Sequence, residues 1–274
     1  MSLRAIKAVA VDVDGTLLDS HHRLKEAVKD ALSDLAANEI PVVLATARGP
    51  NALRAVLRPL QLSPWIICFS GAWVGQTDGE SPSSKSVVLD IRHSMLVAHS
   101  IVAMALDLNV EPNVFTTQTW RVRKMTPQIE AECRITECSP SITANLFGNG
   151  EEPSKILLIT DEAEAETLHV IDHTVRPISN PTFSKPNYLE IIPLGVNKAK
   201  ALAHLTEFLG LKRSQVAAIG DGMNDLEMIR EVGLGIAMGN APEAVKSAAG
   251  WVTGTNDEAG VAQAVRRLFQ EGLV

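Results

Sequence analysis

Cysteine is scarce in this chain, and long basic or apolar runs are missing. The 274 residues hold three cysteines, Cys68, Cys133 and Cys138. An odd and sparse set is no disulfide framework and suits free thiols in a reducing compartment. Cys133 and Cys138 have no second Cys/His pair that would complete a zinc set. No Lys/Arg-rich run occurs, and the net charge of −7 comes from interspersed acids and bases. That pattern excludes the electrostatic footprint of a nucleic-acid binder. The longest apolar stretch, Met95 to Val110, is interrupted by His99, Ser100 and Asp107. It is too short and too polar to span a bilayer. Met1 to Lys7 leads almost directly into the first strand, which leaves no room for a targeting segment. The expectation is a cytoplasmic protein without nucleic-acid or membrane partners.

What is present is a core-forming chain of 46% apolar residues, long enough for one or two domains. Apolar strands alternate with amphipathic helices. Ala5–Val11 reads as a strand, Lys25–Asn38 as a helix on Val28, Leu32 and Leu35, and Pro41–Thr46 as a second strand. Gly49-Pro50 starts a helix carried by Leu53, Val56, Leu57 and Leu60, and Trp65–Phe69 is a third strand. Near-continuous apolar strands between helices imply a parallel sheet covered on both faces. The fold class expected is α/β, a doubly wound, Rossmann-like parallel sheet.

Residues 75–86, GQTDGESPSSKS, read as a turn or linker. Beyond them the pattern changes to short strands and helices, and residues 86–187 read as an inserted α+β domain. The main domain then comprises residues 1–85 and 188–274. Its second half holds a helix over Asn197–Leu209, a strand over Gln215–Ile219 and further short strands and helices to Gln270.

Four segments carry chemistry, and each sits at the end of a strand, the edge where open α/β sheets bind ligands. Asp12-Val13-Asp14-Gly15-Thr16 comes first. On a strand, carboxylates two residues apart share a face at a spacing of roughly 6–7 Å. Thr46 ends PVVLAT and precedes Arg48. Lys198 opens a helix in GVNKAKAL. Gly220-Asp221-Gly222-Met223-Asn224-Asp225 follows the strand QVAAI. Converging carboxylates at Asp12, Asp14, Asp221 and Asp225 repel one another. Bound Mg²⁺ relieves that repulsion and favours carboxylates, phosphate oxygen and water. A carboxylate can serve as nucleophile and form an aspartyl-phosphate. Thr46 and Lys198 are suited to hold phosphoryl oxygens by hydroxyl and charge.

These four segments resemble, in chain order, the four motifs of the haloacid dehalogenase-like superfamily of phosphohydrolases. The insert resembles the large cap of its Cof-type, class IIB branch. The likeness also takes in Ser70–Ala72 and LEIIPLGVNKAKAL, and so spans nearly the whole chain. It implies that Asp12 is the nucleophile and Asp14 the general acid, then base. It also implies that Thr46 and Lys198 bind phosphate and that Asn224 contacts the phosphoryl group or a metal water. Asp221 would ligate Mg²⁺ with Asp225 in support, and Asp14 would offer its backbone carbonyl. The chain departs from the family at Ala47 and Ala199, where glycine is usual. Neither change removes a reacting group.

The implied function is a Mg²⁺-dependent phosphatase of small phosphorylated metabolites, such as sugar phosphates. A phosphomutase or phosphotransferase would use the same aspartyl-phosphate. A non-catalytic phosphate-binding signalling protein is a third reading. Receiver domains combine acids, Thr and Lys in this way, but they are far shorter and lack the insert. Arg48 is a candidate substrate contact. His21-His22 reads as a solvated pair at the site's rim, and Trp73, Trp120 and Trp251 as packing residues, Trp120 with a substrate-facing alternative.

Overall fold

The computed structural model describes residues 5–77 and 82–274. Fourteen strands and nine α-helices are assigned in the described residues. In chain order they begin with β1 (Ala8–Asp12), α1 (Glu26–Ala37), β2 (Val42–Ala45), α2 (Arg54–Leu60), β3 (Trp65–Cys68), β4 (Trp73–Thr77) and β5 (Pro82–Asp90). Then come α3 (Met95–Asp107), β6 (Pro112–Phe115), β7 (Trp120–Val122), α4 (Pro127–Thr136), β8 (Ser141–Ile142), β9 (Lys155–Ile159), α5 (Ala165–Val175), β10 (Ser179–Lys185) and β11 (Tyr188–Pro193). The chain ends with α6 (Lys198–Phe208), β12 (Val216–Gly220), α7 (Leu226–Glu231), β13 (Leu234–Ala237), α8 (Glu243–Lys246), β14 (Trp251–Val252) and α9 (Gly260–Gln270).

Two compact units result. The first comprises Met1–Thr46, Val56–Leu89 and Asn197–Val274. Its eight-stranded sheet has the order β14-β13-β12-β1-β2-β3-β4-β5. Strands β14 to β3 are parallel, and β4 runs antiparallel to β3. From β1 the chain winds outward through β2 and β3, then returns on the other side of β1 through β12, β13 and β14. The order therefore reverses between β1 and β12, the crevice where doubly wound sheets bind ligands. One face of the sheet packs on α6 through Ala8, Ala10, Val43, Ala45 and Ala218 against Ala199, Ala201, Leu202 and Leu205. Alanines on both sides let the helix lie close. Side chains alternate along a strand, so Asp12 shares the face of Ala8 and Ala10. That face leads to the start of α6, where Lys198 stands.

The second unit comprises Ala47–Ala55 and Asp90–Val196. Its six-stranded sheet has the order β10-β11-β9-β6-β7-β8 and is antiparallel except between β7 and β8. Ile156, Leu158, Leu189, Ile191 and Val114 pack with residues of α3 and α5.

Three sequence expectations change here. Strand β11 pairs with β9 and β10 in the second sheet, so the main fold resumes at Asn197 and not at 188. Ala47–Ala55 groups with the second unit: Lys155 Nζ donates to the Ala47 carbonyl at 2.8 Å and Asn51 Nδ2 to the Gln118 carbonyl at 3.0 Å. The stretch 75–86 is not a plain linker, because β4 and β5 run through both its ends; residues 78–81 lie outside the described residues. Gly75 pairs with Ile66 in β4, and the Trp73 indole fills the place a Cβ would take there.

Candidate active site

Strand β1 stops at Asp12, and the chain turns at once. Leu17 N donates to the Asp12 carbonyl at 3.2 Å and Leu18 N to that of Val13 at 3.0 Å. Asp12 and Asp14 are therefore not two positions of one strand face, as the spacing alone suggests. Asp12 is buried, whereas the Asp14 side chain is 40% exposed and lies 3.5 Å from His22 Nδ1. Gly15 makes the turn possible. Its φ is +84°, and a Cβ there would sit 2.5 Å from Asp221 Oδ2, so both backbone and space demand glycine.

Lys198 is the first residue of α6, with Asn197 as N-cap accepting from Lys200 N at 2.8 Å. A cation at a helix N-terminus opposes the helix dipole. Two carboxylates offset this: Lys198 Nζ donates to Asp12 Oδ1 at 2.5 Å and to Asp225 Oδ1 at 2.7 Å. All three groups are buried. Burial alone would lower the Lys198 ammonium, but the Asp12 and Asp225 charges overcome it and hold it above its usual value. Asp225 also braces the loop after β12, where its Oδ2 accepts from Gly222 N at 2.9 Å and Asp221 N at 3.2 Å.

Carboxylate oxygens of Asp12, Asp221 and Asp225 all lie within 4.8 Å of one another. Burial, then the Asp225 charge, pushes the Asp12 carboxyl well above the usual carboxylate range despite Lys198. Asp221 is raised to about 6, chiefly by burial; the Thr16 hydrogen bond opposes this and the Asp225 charge adds to it. Three carboxylates thus share one ammonium, an excess of negative charge. A hard divalent cation, which takes oxygen ligands, fits this donor set. Asp14 stands outside that group of three.

Thr46 follows Ala45, the β2 residue paired with Asp12, and is buried. Its amide donates to the Ile67 carbonyl at 2.8 Å, and its carbonyl accepts from Ser70 N at 2.9 Å. Phe69 and Ser70 hold left-handed backbone, φ 51° and 52°. Each such residue costs about 1–2 kcal/mol. Strain of this kind concentrates at functional sites. Asn224 lies against Gly222, where its Oδ1 occupies the space a Cβ would need. Arg48 is buried in the second unit and donates to the Ala52 carbonyl at 3.3 Å. Ala47 has no left-handed backbone, so alanine fits there, and Ala199 is a core contact of α6.

Sequence reasoning left Thr16 and Asn240 without a role. Thr16 Oγ1 donates to Asp221 Oδ1 at 2.7 Å. Asn240 Nδ2 donates to the Gly15 carbonyl at 2.9 Å and to Asp221 Oδ2 at 3.3 Å. The signal for Asn240 was its place in Gly239-Asn240-Ala241, just past the end of β13 at the ligand-binding edge. His21 and His22 are both exposed; His22 lies beside Asp14, and the His21 amide donates to Asp19 Oδ1 at 2.9 Å. Trp120 packs: it stacks on Phe115 with centroids 5.2 Å apart, and its Nε1 donates to Asn113 Oδ1 at 3.1 Å.

Fold and site together define a doubly wound α/β enzyme whose acids meet a buried lysine at the sheet's switch point. The family model of haloacid dehalogenase-like hydrolases matches residues 9–265, and the chain belongs to that family. It is an enzyme that acts on phosphate esters. It is 31% identical over 272 residues to a putative phosphatase of Haemophilus influenzae, covering 97% of this chain and 99% of that one. It is 30% identical to the 5-amino-6-(5-phospho-D-ribitylamino)uracil phosphatase YcsE of Bacillus subtilis, covering 95% of each. Its fold is similar to that of a haloacid dehalogenase-like hydrolase from Bacteroides thetaiotaomicron, with TM-score 0.87 and 28% identity over 96% of this chain and 100% of that one.

Proposed function

We propose that this chain is a Mg²⁺-dependent phosphatase of small phosphorylated metabolites, such as sugar phosphates, working through an aspartyl-phosphate. The observation that carries this reading is the buried Asp12–Lys198–Asp225 cluster beside Asp221 at the sheet's switch point. Asp12 attacks phosphorus in line, and the bond to the leaving oxygen breaks as Asp14 gives that oxygen a proton. Asp14 then takes a proton from water, which attacks phosphorus, frees phosphate and restores Asp12. Thr46, Lys198 and Asn224 hold the phosphoryl oxygens. Asp12, Asp221, the Asp14 backbone carbonyl and, in support, Asp225 would hold the cation. When bound, Mg²⁺ keeps the acids ionised and draws charge from the phosphoryl oxygens.

The second unit reads the leaving group. The sheet face turned away from α3 and α5 mixes charged groups with the apolar Leu157, Ile159, Tyr188 and Phe115. Lys155 pairs with Glu190 at 3.3 Å, and Tyr188 is pushed up to about 12 by burial and then by Glu132. Arg48 belongs to the same unit and would be a substrate contact. The Bacillus subtilis relative, named for a phosphate on a ribityl chain, supports a small polyhydroxylated ester. Three free cysteines, and no described helix long and apolar enough to cross a membrane, support action in the reducing cytoplasm.

The test is a panel of phosphate esters with purified protein, with and without Mg²⁺. Free phosphate is expected from small metabolite esters, and chelation should stop it. A phosphosugar isomer formed without free phosphate, or no turnover of any ester, overturns the reading.

A further inference from the structure

Asp221 is gripped from both sides by neutral donors. Thr16 Oγ1 donates to Oδ1 at 2.7 Å and Asn240 Nδ2 reaches Oδ2 at 3.3 Å. The same Asn240 amide donates to the Gly15 carbonyl at 2.9 Å. Asn240 is itself anchored, because its Oδ1 accepts from Asn256 N at 3.0 Å. The Asn256 side chain in turn donates to the Leu18 carbonyl at 3.0 Å. Two asparagines, from the loops after β13 and β14, thus tie the turn after β1 to the carboxylate after β12. Neither asparagine belongs to the four motifs.

Neutral amides suit this task. They hold a carboxylate in place without supplying a charge that would compete with a cation. An arginine or lysine in place of Asn240 would pair with Asp221 and spend its negative charge. The bond to the Gly15 carbonyl fixes the Gly15–Thr16 peptide, the unit next to the one that carries the Asp14 carbonyl.

We propose that Asn240, backed by Asn256, is a positioning residue that aims Asp221 at the divalent cation and fixes the Gly15–Thr16 peptide of the turn beside it. The inference rests on the cation site of the proposed function. Partners that orient metal ligands are worth about 10- to 100-fold in metal affinity. Asn240→Ala is therefore expected to bind cation about 10- to 100-fold more weakly while remaining folded. Asn256→Ala, which removes the bond to Leu18 but keeps the backbone donor to Asn240, is expected to lose less.

The experiment is titration of the metal-free full chain with Mn²⁺, followed by electron paramagnetic resonance, for wild type, both variants and Asn38→Ala. Asn38 bonds the Asp34 carbonyl at the end of α1 and serves as the control. Thermal melting shows that each variant is folded. Steady-state assays should show a raised Mg²⁺ requirement for Asn240→Ala, an unchanged KM for the ester at saturating Mg²⁺, and recovery of most of the turnover there. Wild-type Mn²⁺ affinity in folded Asn240→Ala overturns the inference and leaves the cation site standing. A wild-type chain that takes up no Mn²⁺ overturns the cation site and the inference together. If Asn240→Ala does not fold, Asn240→Ser, which keeps a small hydrogen-bonding group, gives the comparison; wild-type affinity there with the Gly15 bond lost also overturns it.

Discussion

Asp12→Asn is expected to lower turnover by at least about 10⁴-fold, because it removes the atom that attacks phosphorus in the proposed mechanism. The fold should survive. The amide oxygen can still accept from Lys198, which stands 2.5 Å from Asp12 Oδ1. Burial and the Asp225 charge already disfavour ionised Asp12, so a neutral side chain relieves both. Melting close to that of wild type, with turnover gone, separates chemistry from stability. Wild-type turnover in Asp12→Asn would remove the nucleophile from the account.

Lys198→Met is expected to be the most destabilising single change at the site. The side chain is 1% exposed and is the ammonium between Asp12 and Asp225. Methionine fills a similar volume but leaves two buried carboxylates without their cation. Breaking a buried pair in this way costs about 3–5 kcal/mol. Denaturant midpoints measure the loss. Adding Asp12→Asn to Lys198→Met should recover part of it, since one of the two stranded charges is gone. Equal stability of Lys198→Met and wild type at neutral pH would contradict the buried ion cluster. Activity should vanish in either background, because the proposed charged anchor of the phosphoryl oxygens is lost.

Much of the site was legible because each of its residues stands beside a strong local signal. Asp12 and Asp221 follow unbroken apolar runs, Thr46 ends one, and Lys198 opens a helix capped by Asn197. Register was not legible in the same way. The run Tyr188–Pro193 reads as a strand wherever it pairs, and apolar pattern cannot tell the second sheet from the first. Strand β10, SNPTFSK, carries Pro181 and little apolar pattern, yet it forms at a sheet edge where proline is tolerated. The joining of 47–55 to the second unit depends on Lys155, far along the chain, reaching the Ala47 carbonyl. Asn240 and Asn256 were silent for a related reason. Each looks like an ordinary loop asparagine until folding brings it to Asp221 and to Leu18.

The most direct test of the account is to stop the enzyme during turnover, reduce it with borohydride and map the chain by mass spectrometry. An acyl phosphate is reduced to the alcohol, so an Asp12 nucleophile would leave homoserine in place of Asp12 and aspartate at 14, 221 and 225. Turnover with Asp12 unmodified, or a reduced residue at one of the other three acids, would contradict it.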